Sequence, residues 1–125
     1  MRLLLDSHIL LWWIGVASDR LSPEMRRAID HAATVHVSAA TIWELEIKRN
    51  LGKLNLGNWD WSQLDRRSVA ILSIERDDAH AAGNLPLLHR DPFDRMIVAQ
   101  AIRRGLTLVT IDAALARYGA ELLPA

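Results

Sequence analysis

Short apolar runs of strand length alternate along the chain with helical patterns of about ten residues, and this alternation restricts the fold more than any other feature. Arg2-Leu3-Leu4-Leu5-Asp6 predicts a buried strand over 2–6. A helix over 7–14 follows and stops at Gly15. Ser22-Pro23-Glu24 starts a second helix, with a hydroxyl cap, a proline in the first turn and then an acid; it runs to about Ala33. Val35-His36-Val37-Ser38 alternates as a short strand, and Ser38 caps a helix that carries Ile42, Trp43, Leu45 and Ile47 and ends near Asn50-Leu51-Gly52. Residues 52–60 are expected to connect, and Asp60 to cap a helix through Val69. Ala70 to Ile74 predicts a strand, and Asp77 or Asp78 opens a short helix ending at Gly83-Asn84. After a loop at 85–90, Asp91 is an N-cap, Pro92 the first residue of a helix over 92–104, and Gly105 its stop. Leu106 to Thr110 is a strand, Ala113 to Arg117 a helical turn, and Leu122-Leu123 a last edge strand. The expected architecture is α/β, with a mostly parallel central sheet flanked by helices. No linker, repeat or low-complexity segment divides residues 1–125, so one domain is expected.

Half of the residues are hydrophobic, enough for a core and against disorder. Lys+Arg and Asp+Glu are equal at 15 each, so no global field draws in nucleic acid, and such contacts must use a local basic patch. The basic set is 13 Arg and 2 Lys. Arg suits bidentate phosphate contacts, and genome composition produces the same bias. The absence of Cys excludes disulfides, thiolate metal sites and Cys nucleophiles, and fits a cytoplasmic protein. The apolar run Ile9 to Ala17 follows Arg2, but Asp6 and His8 interrupt the stretch and Leu3 to Asp6 reads as a strand, which disfavours a signal peptide. No run reaches the ~18–20 apolar residues of a membrane span.

Four acids fall at or beside core elements, where an unpaired charge is expensive: Asp6, Glu44, Asp94 and Asp112. Sites in parallel α/β sheets form outside the carboxyl ends of the strands, where Asp6 and Asp112 lie and where the helices bearing Glu44 and Asp94 can converge. Two unit charges at about 4 Å repel by about 1 kcal/mol in water and about 4 kcal/mol at an effective dielectric of about 20. Clustered acids therefore take up protons or hold a cation, and oxygen-only ligands favour Mg²⁺ or Mn²⁺ over Zn²⁺. Phosphodiester hydrolysis is the natural reaction of such a site. Each acid also has a plainer role. Asp91 suffices as an N-cap, Asp94 falls where a capping box places an acid, Glu44 can pair with Lys48 four residues on, and Asp112 can be a turn residue. Asp94 shares a side with Ile97, Val98 and Ala101, which favours a site there. Asp6, directly after three leucines, is the hardest to explain as structural.

Ser7 can orient a water or phosphate or cap the 7–14 helix, and Thr110 can support Asp112 or pack in its strand. His8, His31, His36, His80 and His89 lack metal-ligand spacing and are expected at the surface or partly buried. No Ser-His-Asp arrangement or phosphate-binding glycine loop is present. Of Trp12, Trp13, Trp43, Trp59 and Trp61, most are expected in the core, and one of the adjacent pair Trp12-Trp13 at a protein interface.

The order Asp6-Ser7, then Trp43-Glu44-Leu45 with Lys48, then Arg90-Asp91-Pro92-Phe93-Asp94-Arg95 with Ala99-Gln100-Ala101, then Thr110-Ile111-Asp112, resembles a PIN domain, and most of all the VapC-type toxins of toxin–antitoxin pairs. The resemblance covers nearly the whole chain. It implies a Mg²⁺- or Mn²⁺-dependent endoribonuclease that uses a metal-activated water. It makes Asp6 and Asp94 the metal ligands, lets Glu44 and Asp112 complete the catalytic quartet, and gives Ser7 and Thr110 supporting hydroxyls. It further implies a homodimer silenced by a cognate antitoxin, whose helical tail lies in an apolar groove and blocks the acids, often with an Arg. Lys48, Arg49, Arg90 and Arg95, with Arg103 and Arg104 as further candidates, flank the acids in sequence and can contact RNA phosphates, although a solvated or ion-paired role is the favoured one for most of them. The alternative is a non-catalytic PIN-like RNA-binding or interaction module, although all four acids are kept. A phosphoacceptor receiver domain would need an acidic pair after the first strand, where Ser7 follows Asp6. DNA nucleases of similar fold are far longer.

Overall fold

The computed structural model describes residues 1–16 and 20–124. Ala17, the end of the apolar run examined as a leader, lies outside the described residues. Five strands, β1 (Arg2–Leu5), β2 (Thr34–Ser38), β3 (Val69–Leu72), β4 (Thr107–Thr110) and β5 (Leu122–Pro124), form one sheet in the order β3-β2-β1-β4-β5. Every pairing is parallel, with Leu4 opposite His36 and Leu108 on either side. The helices are α1 (Ser7–Ile14), α2 (Pro23–Asp30), α3 (Ala39–Asn50), α4 (Gln63–Arg66), α5 (Arg76–Asn84) and α6 (Pro92–Arg104), with a 3-10 helix over Ala113–Tyr118.

The three leucines of β1 are fully buried because the strand is central and covered on both faces. Leu3 and Leu5 point to one layer, where they join Ile9, Leu10, Trp13, Ile29, Leu45 and Leu64 from α1 to α4. Leu4 points to the other, with Ile97, Val98 and Ala101 of α6 and Leu115 of the 3-10 helix. The period of two along β1 thus divides the core into two clusters.

α6 has the span expected from its punctuation. The Asp91 carboxylate accepts the N–H groups of Phe93 at 2.8 Å and Asp94 at 3.2 Å, and Gly105 ends the helix at φ 65°. The helix expected from Asp60 to Val69 is shorter. Asp60 closes a tight turn by accepting the Ser62 N–H at 2.9 Å, only Gln63–Arg66 is helical, and Ser68 at φ 58° turns the chain into β3. The helix after Ser22 ends at Asp30 rather than near Ala33, because the chain turns at His31 into β2. α5 starts at Arg76 with Glu75 as its cap, one or two positions before the expected start at Asp77 or Asp78. The exposed tryptophan is Trp43 at 61 %, not one of Trp12 and Trp13; Trp13 is buried with its Nε1–H on Asp30 at 3.0 Å. His36 is fully within the sheet, its Nδ1 bonded to the Leu3 carbonyl at 3.0 Å. Among the described residues no helix is long and apolar enough to cross a membrane.

Arg103 and Arg104, candidates for phosphate contact, instead serve α5. Asp78 is fully buried and pairs with Arg103 and, at 2.7 Å, with Arg104; Gln100 and the Glu75 N–H also donate to it. Burial opposes the Asp78 charge, but the Glu75 N–H, Arg104, Gln100 and Arg103 outweigh it and hold the carboxyl at about 2. The unfolded chain binds a proton more readily than the native state between pH 4 and 2, roughly the interval between the free and folded pKa values. This contribution is therefore complete above about pH 4 and lost as pH falls through 2. Asp78→Asn is expected to lower stability at neutral pH by about 2–3 kcal/mol in urea unfolding, with the difference shrinking below about pH 4. A difference that persists unchanged at low pH would contradict this role.

Candidate active site

The strand order reverses between β1 and β4, and a crevice opens at the carboxyl ends of these two strands. Asp6 follows β1 immediately. Its carboxylate accepts the Ile9 N–H at 3.0 Å as the cap of α1, and its own N–H donates to the Val109 carbonyl at 3.0 Å. Asp112 follows β4 and caps the 3-10 helix by accepting the Ala114 N–H at 3.0 Å. Thr110, buried at the end of β4, donates its hydroxyl to Asp6 and accepts the Asp112 N–H at 3.0 Å, so one side chain positions both acids.

The helices supply the rest. β2 passes into α3 with no intervening residue, and Ser38 caps α3 through the Ala40 N–H at 3.1 Å. This directs buried Glu44 toward the crevice, where Lys48 one turn later holds it at 3.1 Å. Both roles weighed for Glu44, the ion pair and the acidic site, are present together. Asp94, in the first turn of α6, enters from the other layer. The result is a cleft of about 280 Å³ lined by Asp6, Ser7, His8, Glu44, Lys48, Asp91, Asp94, Ile111 and Asp112. All four acids of the quartet, and Asp91, share this lining.

Burial registers at two of the acids, and like charge adds to it at Asp94. Burial raises the Asp6 carboxyl above its ordinary value despite the Ile9 and Thr110 hydrogen bonds. Asp94 is pushed up to about 6, chiefly by burial and by the Asp91 charge; His89 acts in the opposite sense, while Glu44 and Asp6 add to the rise. A carboxyl this high is one whose charged form is poorly solvated and stands beside other acids.

His89 has no spacing that marks it in the sequence, yet its Nε2 lies 3.2 Å from both Asp94 Oδ2 and Asp112 Oδ2. The three side chains bring one ligand-type atom each within 4.8 Å of one another. Arg95 differs from expectation in the opposite way. It is buried, and its guanidinium donates to the carbonyls of Ala82, Leu85, Pro86 and His89 at 2.8–3.2 Å. It is a clamp on the 82–89 segment and is not free to meet an RNA phosphate. Arg49 is turned to Glu46 and the Gly57 carbonyl, Lys48 borders the cleft, and Arg90 is exposed.

An all-parallel α/β sheet that gathers carboxylates at its switch point is the class of domain defined by this fold and site. The PIN domain family matches residues 3–121. Ribonuclease VapC22 of Mycobacterium tuberculosis is 36% identical over 112 residues, which cover 87% of this chain and 85% of that protein. Two DNA-bound assemblies share the fold. VapBC2 from Rickettsia felis, bound to a fragment of its promoter, matches with a TM-score of 0.72 at 20% identity, over 99% of this chain and 98% of that one. VapBC from Salmonella typhimurium matches at 0.70 and 20%, over 99% and 98%. The chain belongs to the PIN domain family.

Because the native state binds the Asp94 proton more tightly than the unfolded chain, stability of the metal-free protein falls as pH rises from about 4 to about 6 and stays lowered above it. Asp94→Asn removes this cost. Metal-free Asp94→Asn is expected to be more stable than the parent at pH 7.5 by about 2 kcal/mol, and the gain to vanish near pH 4. Equal stability at pH 7.5 in chemical unfolding would show that the acids are not strained.

Proposed function

We propose that this chain, a single domain over 1–125, is a Mg²⁺- or Mn²⁺-dependent endoribonuclease and the toxin of a toxin–antitoxin pair. The observation that carries the reading is the convergence of Asp6, Glu44, Asp94 and Asp112 on one cleft in which Asp94 is raised to about 6. The 36% identity to a protein named as a ribonuclease supports RNA as the substrate class. The donors fit a hard divalent cation: they are carboxylate oxygens, the charged form of Asp94 is poorly solvated, and two of them are already oriented by backbone N–H groups.

Asp6 and Asp94 would hold the cation, with Glu44 and Asp112 completing its surroundings. A bound cation would offset charge on the scissile phosphate and ease loss of a proton from the water that attacks phosphorus. The chain's own groups do the rest. Thr110 keeps Asp6 and Asp112 at fixed spacing. The Ile9 and Ala114 N–H groups each orient one acid and leave its remaining lone pairs for the site. The buried Ser7 hydroxyl stands beside Asp6 as a donor to water or phosphate. Lys48 at the cleft, with exposed Arg90, supplies positive charge for the RNA backbone.

α3 provides the seat for an antitoxin. Trp43 and Leu51 are 61 % and 63 % exposed, and with Ile47 they line a shallow apolar hollow. Trp43 packs edge-on against Phe93 at 5.1 Å, next to Asp94 in the chain. An amphipathic helix in this hollow can carry an Arg into the cleft. The VapBC assemblies that share the fold support such a partner, and the family resemblance supports a homodimer acting on cytoplasmic RNA.

Antitoxin-free protein is expected to cleave RNA with Mg²⁺ or Mn²⁺ and to lose that activity in EDTA. Asp6→Asn and Asp94→Asn are expected to reduce the rate by more than about 100-fold, beyond the roughly 10–100-fold typical of groups that only support ligands, with the circular dichroism spectrum retained. Undiminished cleavage in EDTA refutes the metal dependence, and a dead Asp91→Asn beside an active Asp94→Asn reverses their roles. Trp43→Ala is expected to weaken binding of the cognate antitoxin by about 10-fold or more in calorimetry. Unchanged affinity would move the seat elsewhere.

A further inference from the structure

We infer that this chain holds one divalent cation per copy, and that the His89 imidazole fills the place a second cation would take between Asp94 and Asp112. The inference rests on the metal-dependent reading of the cleft and extends it to the number of ions and to a residue outside the quartet.

The geometry marks the place. In octahedral coordination with bonds of about 2.1 Å, adjacent ligand atoms lie about 3.0 Å apart. His89 Nε2 sits 3.2 Å from one oxygen of each acid, close to that spacing. A cluster of two carboxylates and an imidazole at such distances is open to two interpretations: the imidazole is a third ligand, or it is itself an N–H donor standing between the acids.

The opposite ring nitrogen decides between them. The Asp91 backbone N–H donates to His89 Nδ1 at 3.2 Å. A backbone N–H can only donate, so Nδ1 carries no proton, and the proton of the neutral ring is on Nε2. A nitrogen that ligates a metal must present a lone pair, and in this tautomer Nε2 presents a hydrogen. Nε2–H therefore donates to Asp112, with Asp94 Oδ2 alongside at 3.2 Å. Asp91, assigned above only as a helix cap, also selects this tautomer through its main chain.

The ring is held there by its backbone. The His89 carbonyl accepts from Arg95 Nη1 at 3.2 Å, and Arg95 is buried and anchored on three further carbonyls of the same segment. The arginine of the Asp-Pro-Phe-Asp-Arg run is thus a positioning residue for His89. The donor reaches Asp94 and Asp112 but not Asp6, whose partners are Ile9 and Thr110. That leaves the Asp6–Asp94 side for the one cation.

Counting Mn²⁺ tests this directly, through the loss of the free-ion electron paramagnetic resonance signal during titration of antitoxin-free protein. The parent is expected to bind one Mn²⁺ per copy and His89→Ala two, the second more weakly. His89→Gln, whose carboxamide N–H keeps a donor at similar reach, is expected to stay at one. Two ions in the parent or in His89→Gln, or one in folded His89→Ala, would overturn the inference while leaving the metal-dependent reading intact. No bound Mn²⁺ in the parent would refute that reading and this inference with it. A second readout needs no variant: the bound Mn²⁺ of the parent is expected to show no imidazole nitrogen hyperfine coupling in pulsed resonance, and its presence would make His89 a ligand and overturn the assignment.

Discussion

Every strand that feeds the cleft passes to a helix within two residues: one between β1 and α1, none between β2 and α3, two between β4 and the 3-10 helix. A handover this short leaves the first helical N–H groups facing the crevice and requires a side-chain oxygen at the turn. At β1 and β4 that oxygen belongs to an aspartate. Asp6 and Asp112 therefore cap their helices and line the cleft at once, each giving one oxygen to a backbone N–H. The parallel sheet makes this possible, because all five strands end on the same edge and the switch between β1 and β4 leaves room between two of those ends.

The charge gathered this way needs stiff surroundings. α6 is held at both ends by buried ionic groups that contact no ligand. Near its start, Arg95 collects carbonyls of the 82–89 segment; near its end, Gln100, Arg103 and Arg104 hold Asp78 of α5. Between these anchors the helix is packed through Ile97, Val98 and Ala101. Asp94 is thereby kept among the other acids, at a carboxyl value of about 6, instead of relaxing into solvent. A cation would stabilise the charged form that burial and the neighbouring acids disfavour at Asp94.

Local chemistry made much of this readable from the chain. α1 and α6 have the extents that their caps and terminal glycines imply, and the run of leucines marked β1 as buried. The helix after Asp60 was over-read because an Asp can close a two-residue turn as readily as it caps a helix, and nothing in the sequence announces the left-handed Ser68. Which arginines are tied to protein groups was illegible for a different reason. Burial of Arg95 depends on carbonyls 6 to 13 residues away that converge only in the folded loop, and the partner of Arg103 and Arg104 lies on another helix. Charge alone does not separate a clamp from a phosphate contact. His89 was illegible for the same cause: its partners lie 5 and 23 residues on, at no ligand spacing, and are united by the meeting of α6 and β4.

The central claim is that these acids form a cation site whose core ligands are Asp6 and Asp94. Anomalous diffraction from a crystal of the antitoxin-free protein grown with Mn²⁺ tests it most directly. The account predicts one strong peak in the cleft within bonding distance, about 2.2 Å, of an oxygen of Asp6 and an oxygen of Asp94. A peak bound by neither residue, or an empty cleft in crystals whose solution protein binds Mn²⁺, would contradict it.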